Sequence, residues 1–483
     1  MVRNNLQTES PDVESLGAFV DKIEVRSPAT GELVGAVDRS SVEFIEHSVG
    51  AVQRAFEHWA KKTAYERQAQ IKISVRLARE QTDTIARLMT CEQGKPFPQA
   101  QSEVQSGFDS IEYFADEAVR IEGTINPTES RHLRSHVIYQ PVGVCALITP
   151  WNYPVSLLSW KLGPALAAGC GTVVKPPMET PLSPKAFCDA LTEGGLPENL
   201  TAMVFGDGDV GSMLLADPRI KKVALTGSSE TGRKMIGQYG SSLKKISMEL
   251  GGHCPAIVCK DADLELAAKV IAYKGFRNVG QSCSSINRIY VDPDIHDQLL
   301  DLLVQQAKKL KLGNPEIDES VTLGPMTTAN ARANVEEHVS DAIAKGADLV
   351  YGGKRPIGSD FATGNYYEPT ILSGFTHEMK LAREETFGPV VPIATFVSLD
   401  EAVSLANDSD YGLVAYIFTQ SYRNIDSLSE QIEAGTVCVN NGAVNTNYGP
   451  YEGWKNSGFG IELSRLSIYE YLNTKHIKVA ISS

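Results

Sequence analysis

Three polar side chains have the chemistry of a catalytic site: a cysteine, a glutamate and an asparagine. Cys283 follows a glycine and small or polar residues at 280–282, and the thiolate form of a cysteine is a nucleophile. Glu249 ends a predicted strand before a glycine pair, where a carboxylate can reach a cleft and act as a general base. Asn152 lies where a predicted strand gives way to a helix, and its amide can donate to an oxyanion. Taken singly, a small buried thiol, an ion-paired surface glutamate and a turn asparagine are the ordinary interpretations.

Two glycine-containing turns are candidate phosphate sites. The segment Leu225–Gly232 joins a predicted strand to a helix, and Ser228 lies at the start of that helix. Backbone N–H groups at a helix start favour a phosphate. This segment does not spell G-x-G-x-x-G, so alone it indicates a dinucleotide only weakly. Gly206–Gly211 is a similar glycine-rich segment whose simplest interpretation is a turn.

The elements that must position these groups form a repeating pattern. From residue 142, short apolar strands alternate with helices, which predicts a parallel sheet covered on both faces. Such a sheet binds ligands at the carboxyl ends of its strands. The predicted strands are Val142–Ile148, Thr172–Lys175, Ala202–Phe205, Lys222–Thr226 and Lys245–Met248. The predicted helices lie after Pro154, near 183–193, after Asp209 and after Ser229.

A second strand-and-helix stretch follows the first. Its predicted strands are Ala256–Cys259, Arg288–Val291, Val414–Phe418 and Val437–Asn440. Its long helices are predicted near 294–311, 328–345 and 422–433. The chain is therefore expected to be an α/β protein.

The remaining predicted elements flank these two stretches. Residues 27–32 predict a turn between short strands, after a loose leader of about 20 residues. Residues 41–62 and 64–91 predict two helices, the second ended by Gly94 and Pro96. Ser130–Tyr139 and His476–Ile481 are both expected to be edge strands. An exposed edge invites pairing with another chain, so subunit contacts are expected there.

Length and composition limit the class of protein. A chain of 483 residues is expected to form two or three domains, and 42% apolar and 22% charged residues are typical of a globular protein. The net charge of −14 argues against nucleic acid or an anionic membrane as a partner. No apolar stretch is long enough to span a bilayer, and residues 1–16 lack the apolar core of a signal peptide. Eight scattered cysteines without C-x-x-C spacing predict a reducing compartment, by default the cytoplasm, and no metal site.

Seven segments, taken in order, resemble the aldehyde dehydrogenase superfamily. The resemblance extends from Ser27 to the end of the chain. The branch that the chain is most similar to is the hydrolytic, NAD(P)-dependent one, with succinate-semialdehyde and general aldehyde dehydrogenases. The matching segments are Pro150–Pro154, Val174–Pro176, Leu225–Gly232, Glu249–Gly252, Gly280–Cys283, Glu384–Pro389 and Ser457–Gly460.

The resemblance implies roles for the catalytic candidates. Cys283 matches the nucleophile, and Asn152 together with the Cys283 backbone N–H matches the oxyanion hole. Glu249 matches the base that activates water, and Glu462 matches a second acidic residue on a proton route. A small-molecule aldehyde would add to the thiolate, a hydride would leave to the cofactor, and water would hydrolyse the thioester. This chemistry requires no metal.

The resemblance also implies a site for NAD or NADP. Lys175 matches the lysine that contacts the adenosine ribose, and Ser228 lies at the helix start that faces the pyrophosphate. Glu385 matches the carboxylate on the nicotinamide ribose, and Phe387 lies against the nicotinamide. Trp151 matches a residue of the cofactor cleft.

The implied architecture is a Rossmann-like parallel-sheet cofactor domain, a second α/β catalytic domain and a small β oligomerisation element. Residues 1–252 are expected to form the cofactor domain, with a β arm near 119–140 for oligomerisation. Residues 253–441 are expected to form the catalytic domain. Residues 442–483 are expected to return to the cofactor domain and end in an oligomerisation strand. The expected assembly is a homodimer or homotetramer.

Two departures from the family pattern lie near the implied sites. The family often has Lys-Pro-Ser-Glu where this chain has Lys175 to Met178. In NAD-preferring members that glutamate binds the ribose hydroxyls and repels a 2′-phosphate, and Met178 can do neither. We therefore expect NADP to be accepted. The chain also has His253-Cys254 where Lys-Ser or Asn-Ala is common, and the sequence offers no physical reason for that change.

The substrate remains open between two classes. Arg277 matches an arginine that holds the substrate carboxylate in succinate-semialdehyde dehydrogenases, which favours a semialdehyde. Trp160 stands where those enzymes have a second arginine, and Ser285 stands where they often have a second cysteine. Trp160 is equally suited to flank an apolar or aromatic aldehyde, and Arg277 in that case forms a structural ion pair.

Two rival functions remain for the whole chain. A CoA-acylating or phosphate-linked member of the superfamily would use the same cysteine but would not need Glu249. A non-catalytic homologue would be free to lose Cys283, Glu249 or Asn152, and this chain has all three. The residues therefore favour the hydrolytic enzyme.

Overall fold

The computed structural model describes residues 21–239 and 243–481. It begins with a hairpin of two antiparallel strands, β1 (Lys22–Arg26) and β2 (Leu33–Asp38). The backbone N–H of Ser27 donates to the carbonyl oxygen of Glu32 over 2.9 Å, which closes the predicted turn. The expected loose leader lies outside the described residues.

Four helices follow the hairpin and pack beside the first large sheet. They are α1 (Val42–Trp59), α2 (Ala64–Ala78), α3 (Thr82–Gln93) and α4 (Phe97–Ala118). The prediction of one helix over 64–91 is wrong, because a 3₁₀ turn at Arg79–Gln81 divides it into α2 and α3. Gly94, with a φ of 84°, ends α3 as predicted. Helix α4 was not predicted, although its buried face packs against the helix after the first sheet strand.

The chain then forms the predicted parallel sheet. After β3 (Thr124–Asn126) and β4 (Leu133–Pro141), its strands are β5 (Val144–Ile148), β6 (Gly171–Lys175), β7 (Thr201–Met203), β8 (Ile220–Thr226) and β9 (Lys245–Glu249). The intervening helices are α5 (Ser156–Ala168), α6 (Leu182–Glu193), α7 (Gly208–Ala216) and α8 (Ser229–Tyr239). The strands lie side by side in the order β9-β8-β5-β6-β7, all parallel. Every residue of β5 and β6 is buried, which confirms the prediction of a sheet covered on both faces.

A second, seven-stranded sheet is built by the next stretch. Its strands are β10 (Cys254–Val258), β11 (Ile286–Val291), β12 (Asp348–Tyr351), β13 (Thr370–Ser373), β14 (Val390–Thr395), β16 (Val414–Phe418) and β17 (Thr436–Val439), with the two-residue β15 (Tyr411–Gly412) outside it. The helices are α9 (Leu264–Phe276), α10 (His296–Lys308), α11 (Ala329–Ala344), α12 (Lys380–Arg383), α13 (Leu399–Asn407) and α14 (Tyr422–Gln431). The order is β12-β13-β14-β11-β10-β16-β17, and β12 alone is antiparallel to its neighbour. Strands β12 to β14 were not predicted.

The last segment returns to the first sheet. Its short strands are β18 (Tyr451–Glu452), β19 (Trp454–Lys455), β20 (Gly458–Phe459) and β21 (Ile461–Glu462), followed by β22 (Leu472–Ala480). Strand β20 pairs with β9, and β22 pairs along its whole length with β4. The three-stranded sheet has the order β22-β4-β3, so β22 is an edge strand as predicted. The prediction that Ser130–Tyr139 is also an edge is wrong, because β4 lies between β3 and β22.

The fold brings the candidate groups to one crevice between the two large sheets. Asn152 and Lys175 follow or end β5 and β6, and Glu249 ends β9. Because these strands are parallel, their carboxyl ends share one edge of the sheet. Cys283 lies in the loop between α9 and β11 of the second sheet. The expected domain boundaries at 252 and 441 stay a prediction.

Candidate active site

Hydrogen bonds tie the asparagine loop to the cysteine loop. The Asn152 side-chain amide donates to the carbonyl oxygen of Gln281 over 3.1 Å. In return, the amide of Asn278 donates to the Asn152 carbonyl oxygen over 2.9 Å. A Cβ atom on Gly252 would lie 2.0 Å from the carbonyl oxygen of Cys283, so only glycine allows the glutamate strand to approach the cysteine loop this closely. The three sequence-predicted segments therefore meet.

The cysteine loop has an unusual backbone. Asn278 and Val279 have φ values of 53° and 57°, in the left-handed region that β-branched residues rarely adopt. Gly280 has a φ of 69°, and a Cβ there would lie 2.0 Å from the carbonyl oxygen of Gly388. Strained backbone of this kind persists where surrounding contacts hold it, and it clusters at functional sites.

Cys283 presents a half-buried thiol to the crevice. Its Sγ lies 3.4 Å from the hydroxyl oxygen of Tyr451. Burial raises the pKa of the Cys283 thiol to about 11, the Tyr451 contact lowers it, and the carboxylates of Glu385 and Glu249 raise it further. The thiol is therefore protonated at neutral pH in this structure and needs help to become a nucleophile.

Glu249 is a buried carboxyl group with no hydrogen-bond partner among the described residues. Its side chain is 3% exposed, and neither of its oxygens is bonded. Burial raises its pKa well above the usual value, and the nearby Glu462 raises it further, whereas Lys161 lowers it. Such surroundings shift the equilibrium of this group towards its protonated form and make its carboxylate a stronger base.

Glu462 forms a buried ion pair with Lys161 behind Glu249. The Lys161 ammonium contacts one oxygen of Glu462 and the hydroxyl of Thr226. The second oxygen of Glu462 has no hydrogen-bond partner among the described residues. The structure therefore brings the expected proton-route residue into one cluster with Glu249.

Asn152 is held by residues that the sequence analysis missed. Its carbonyl oxygen accepts a hydrogen bond of 3.0 Å from the ammonium of Lys95. Lys95 is fully buried in an ion pair with Glu103, and Glu103 also accepts the backbone N–H groups of Val155 and Ser156 at the start of α5. Burial lowers the pKa of Lys95, and Glu103 opposes that shift. A lone lysine and a glutamate eight residues later give no sequence signal for this arrangement.

Glu385, Phe387 and Trp151 are the residues expected to contact the nicotinamide half of a cofactor. One oxygen of Glu385 accepts the backbone N–H of Gly252 over 3.1 Å. Burial raises the pKa of Glu385 to about 7, and the hydrogen bond from Gly252 lowers it. Phe387 has a φ of 50°, and its ring meets the Trp151 ring edge-on with centroids 5.4 Å apart.

Lys175 and Ser228 lie further along the same edge of the sheet. Lys175 is 9% exposed, and its ammonium is 3.4 Å from the carbonyl oxygen of Pro176. Burial lowers the pKa of Lys175, and Glu179 and Asp207 oppose that shift. The Ser228 hydroxyl caps α8 by accepting the backbone N–H of Thr231 over 3.2 Å.

Met178 lies beside an arginine rather than a carboxylate partner. Its sulfur is 4.0 Å from a guanidinium nitrogen of Arg39, and Arg39 forms an ion pair of 3.1 Å with Asp207. The position where NAD-preferring relatives have a glutamate is therefore apolar and adjacent to a cation.

Arg277 and Trp160, the two residues expected to contact the substrate, both pack against aromatic rings. The Arg277 guanidinium stands 5.9 Å from the Tyr153 ring centroid and 5.4 Å from that of Tyr273. In the part of the chain that the structure describes, the Arg277 guanidinium forms neither an ion pair nor a hydrogen bond, and only its backbone N–H donates, to the carbonyl oxygen of Tyr273. Trp160 is 5% exposed, and its ring meets that of Tyr451 with centroids 5.6 Å apart. Because Tyr451 also touches the Cys283 thiol, Trp160 is one ring away from the candidate nucleophile.

Over residues 21–239 and 243–481, no helix has the length and apolar character to cross a membrane. No three His, Cys, Asp or Glu side chains in the same ranges are grouped so as to hold a metal ion. No two cysteines in these ranges form a disulfide.

Comparisons with known proteins agree with this geometry. A model of the aldehyde dehydrogenase family matches residues 17–477. The chain is 40% identical to the 3-sulfolactaldehyde dehydrogenase of Pseudomonas putida, with 98% of each chain covered. It is 38% identical to the NADP⁺ succinate-semialdehyde dehydrogenase of Escherichia coli, with 95% of each covered. The betaine aldehyde dehydrogenase of Staphylococcus aureus, solved with NAD⁺, superposes with a TM-score of 0.92 at 33% identity, over 96% of this chain and 92% of that one. The chain therefore belongs to the aldehyde dehydrogenase family, as an enzyme that oxidises aldehydes with NAD or NADP.

Proposed function

We propose that the enzyme oxidises a small aldehyde whose far end is anionic, and that Arg277 binds that anion. The unpaired, partly buried guanidinium of Arg277 is the observation that supports this most directly. A guanidinium stays charged at any ordinary pH, and burying it without a partner costs free energy. A substrate carboxylate or sulfonate offers the bidentate partner that the described residues do not supply.

The relatives are consistent with an anionic substrate. The names of those just described include 3-sulfolactaldehyde and succinate semialdehyde, which end in a sulfonate and a carboxylate. A glutarate-semialdehyde dehydrogenase of Pseudomonas aeruginosa, whose substrate also ends in a carboxylate, is 38% identical with 95% of this chain and 96% of the relative covered.

We infer that Cys283 forms the covalent intermediate. Its sulfur adds to the aldehyde carbon while the thiol proton passes to solvent, and Asn152 with the Cys283 backbone N–H stabilises the negative charge on oxygen. Nicotinamide, when bound, supplies the acceptor for the hydride that leaves this adduct. The product of that step is a thioester on Cys283.

Glu249 then deprotonates the water that cleaves the thioester. The carbon–sulfur bond breaks, the acid leaves, and the thiol regains its proton. The unbonded oxygens of Glu249 support this role, because they are available to a water molecule. Glu462 and Lys161 lie behind Glu249 and extend the route along which the proton can leave. The same carboxylate favours hydrolysis over transfer of the acyl group to CoA or phosphate.

The residues of the crevice fit a dinucleotide. Glu385 has one oxygen bonded to Gly252 and one available for ribose hydroxyls, and Trp151 and Phe387 offer aromatic faces to a nicotinamide. Lys175 would contact the adenosine ribose, and the start of α8 at Ser228 would face the pyrophosphate. Because Met178 lacks a carboxylate, we propose that NADP is accepted as well as NAD.

A second candidate substrate is supported by Trp160. Its ring and that of Tyr451 form an apolar wall next to Cys283, which suits an aliphatic or aromatic aldehyde. In that case Arg277 would only stabilise the structure of the loop that leads to Cys283.

Kinetics of wild type and Arg277→Leu, measured on one charged and one uncharged aldehyde, separate the two candidate substrate classes. A charge-assisted hydrogen bond in a desolvated pocket contributes about 1.5–3 kcal/mol, or about 10- to 150-fold in kcat/KM. The variant should lose this factor on succinate semialdehyde and keep its activity on butanal. Arg76→Leu, on an exposed position of α2, is the matched control and should change neither. Equal losses on both aldehydes would assign Arg277 a structural role and favour the apolar substrate.

Two broader features of the enzyme are also proposals. The outer edge of β22 supports a homodimer or homotetramer, since nine residues of strand offer unpaired backbone groups to another subunit. Eight scattered cysteines without C-x-x-C spacing support a reducing compartment such as the cytoplasm.

A further inference from the structure

Lys274 is bonded to the residues on both sides of the candidate nucleophile. It lies in the last turn of α9, and its ammonium donates to the Ser284 hydroxyl over 3.0 Å. Its carbonyl oxygen accepts a hydrogen bond of 3.0 Å from the Ser285 hydroxyl. The Ser284 hydroxyl is in turn 3.2 Å from that of Ser282. Lys274 therefore bonds directly to Ser284 and Ser285, the two residues after Cys283. It reaches Ser282, the residue before Cys283, through the Ser284 hydroxyl.

The ammonium of Lys274 has no carboxylate partner among the described residues. Its nearest aromatic neighbour is Tyr416, whose ring centroid is 5.9 Å away. A Cβ on Gly442 would lie 3.4 Å from the Lys274 side chain, so the segment after β17 covers it. Four groups act electrostatically on Lys274. Three are the thiols of Cys254 on β10, Cys438 on β17 and Cys283, and the fourth is the Arg277 guanidinium. Its positive charge is thus available to a thiolate.

Burial lowers the pKa of the Lys274 ammonium to about 8, which leaves it mostly protonated at neutral pH. The charges that face Cys283 have opposite effects on the thiol. Burial and the carboxylates of Glu385 and Glu249 raise the pKa of Cys283, whereas the Tyr451 contact and Lys274 lower it. Lys274 is therefore the cation that opposes the two carboxylates.

A second contact beneath the loop completes this arrangement. The thiol of Cys254 lies 3.2 Å from the carbonyl oxygen of Cys283. Burial raises the pKa of Cys254 far above neutral pH, so it keeps its proton and donates it to that carbonyl. The Tyr416 hydroxyl donates to the carbonyl oxygen of Ser284 over 2.7 Å. The backbone of the nucleophile is thereby fixed relative to the lysine.

We propose that Lys274 is a positioning residue that holds the loop 281–285 and stabilises the thiolate of Cys283 by its positive charge. This inference rests on the proposed role of Cys283 as the nucleophile. It assigns a function to a lysine that the family resemblance did not single out. It also identifies the cation that offsets part of the effect of two nearby acidic side chains on the thiol.

The rate of alkylation of Cys283 by iodoacetamide, measured from pH 6 to pH 10, tests the proposal. Peptide mass spectrometry assigns the modification to Cys283 in the intact, cofactor-free enzyme. Lys274→Met should raise the pH at which Cys283 becomes reactive, and a shift of one pH unit lowers the rate at pH 7.5 about tenfold. Lys274→Arg, which keeps the charge, should restore most of the rate. An identical pH profile in wild type and Lys274→Met would overturn the proposal, even if the melting temperature and kcat fall.

A second variant keeps the test decisive if Lys274→Met does not fold. Ser284→Ala removes the hydrogen bond to Lys274 and leaves the charge of Lys274 in place. This variant should slow alkylation of Cys283 by about threefold, which corresponds to part of the free energy of a charge-assisted hydrogen bond. An unchanged rate in this variant would overturn the positioning role. Failure of the proposed function gives a different result, because Cys283→Ala would then retain turnover. That result would leave the alkylation profiles of wild type and the Lys274 variants unchanged, so the two failures can be distinguished.

Discussion

Glu249→Gln removes an ionisable group from the interior of the site while keeping its shape. Glu249 is 3% exposed and has no hydrogen-bond partner among the described residues, so the substitution breaks no bond seen in the structure. Burial and Glu462 raise the pKa of Glu249 well above its usual value. An unfolded chain has no such environment, and there the carboxyl titrates near about 4.3. Folding therefore shifts this group towards its protonated form.

The size of the effect follows from the difference in proton binding between the two states. A group whose pKa is raised by folding contributes stability that is fully present below the unfolded pKa and is lost as the pH rises towards the folded pKa. The loss is about 1.4 kcal/mol for each pH unit in that window. Glutamine does not titrate, so the variant keeps this stability.

Unfolding of wild type and Glu249→Gln by urea at several pH values between 4.5 and 7.5 measures the effect. The stability of the variant relative to wild type should increase as the pH rises. Glu129→Gln, at an exposed position of the loop between β3 and β4, is the control and should show no such trend. A difference between wild type and Glu249→Gln that stays constant with pH would refute the argument from burial.

The same variant has a kinetic signature. Without the base that activates water, the enzyme should produce reduced cofactor in a burst near one equivalent per active site and then stall. Unchanged steady-state turnover would contradict the base role. A defect confined to the burst would instead assign Glu249 to activation of the thiol.

Three further substitutions test other parts of the structure. Met178→Glu should shift the ratio of kcat/KM values towards NAD, and a wild type that strictly excludes NADP would contradict the reasoning. Gly252→Ala places a Cβ 2.0 Å from the carbonyl oxygen of the nucleophile and should abolish turnover, whereas Gly237→Ala, whose Cβ meets nothing within 4 Å, should be neutral. Lys95→Met leaves a buried carboxylate unpaired and should cost about 3–5 kcal/mol of unfolding free energy; a melting temperature equal to that of wild type would show that the pair is dispensable.

Much of the fold could be predicted from patterns that are local in the chain. The alternation of short apolar strands with helices is visible over residues 142–249, because strands buried on both faces must be apolar throughout. The division of residues 64–91 into two helices was missed, since the 3₁₀ turn at Arg79–Gln81 contains no glycine or proline. The central position of β4 was missed as well, because its partner β22 lies more than 300 residues away. Strand pairing over such distances leaves no trace in a single sequence.

The residues of the candidate site also divide into those with local sequence motifs and those that depend on distant contacts. Cys283, Glu249 and Asn152 have motifs around them, so the sequence indicated them, and the structure brings their loops together. Tyr451 and Lys95 were missed because each acts through a contact with a residue far along the chain. The partial burial of the Arg277 guanidinium without an ion pair could not be predicted from its spacing, since the position of distant carboxylates is set by the fold.

The most direct test of the central claim is to detect the acyl group on Cys283. Glu249→Gln, mixed with NADP and succinate semialdehyde and quenched in acid, should accumulate the thioester. Peptide mass spectrometry should then find a mass increase equal to the succinyl group on the peptide that contains Cys283, and Cys283→Ala should show neither the adduct nor turnover. An adduct on another residue, or turnover by Cys283→Ala above about one per cent of wild type, would contradict the account, because losing a covalent nucleophile removes the acyl-enzyme route.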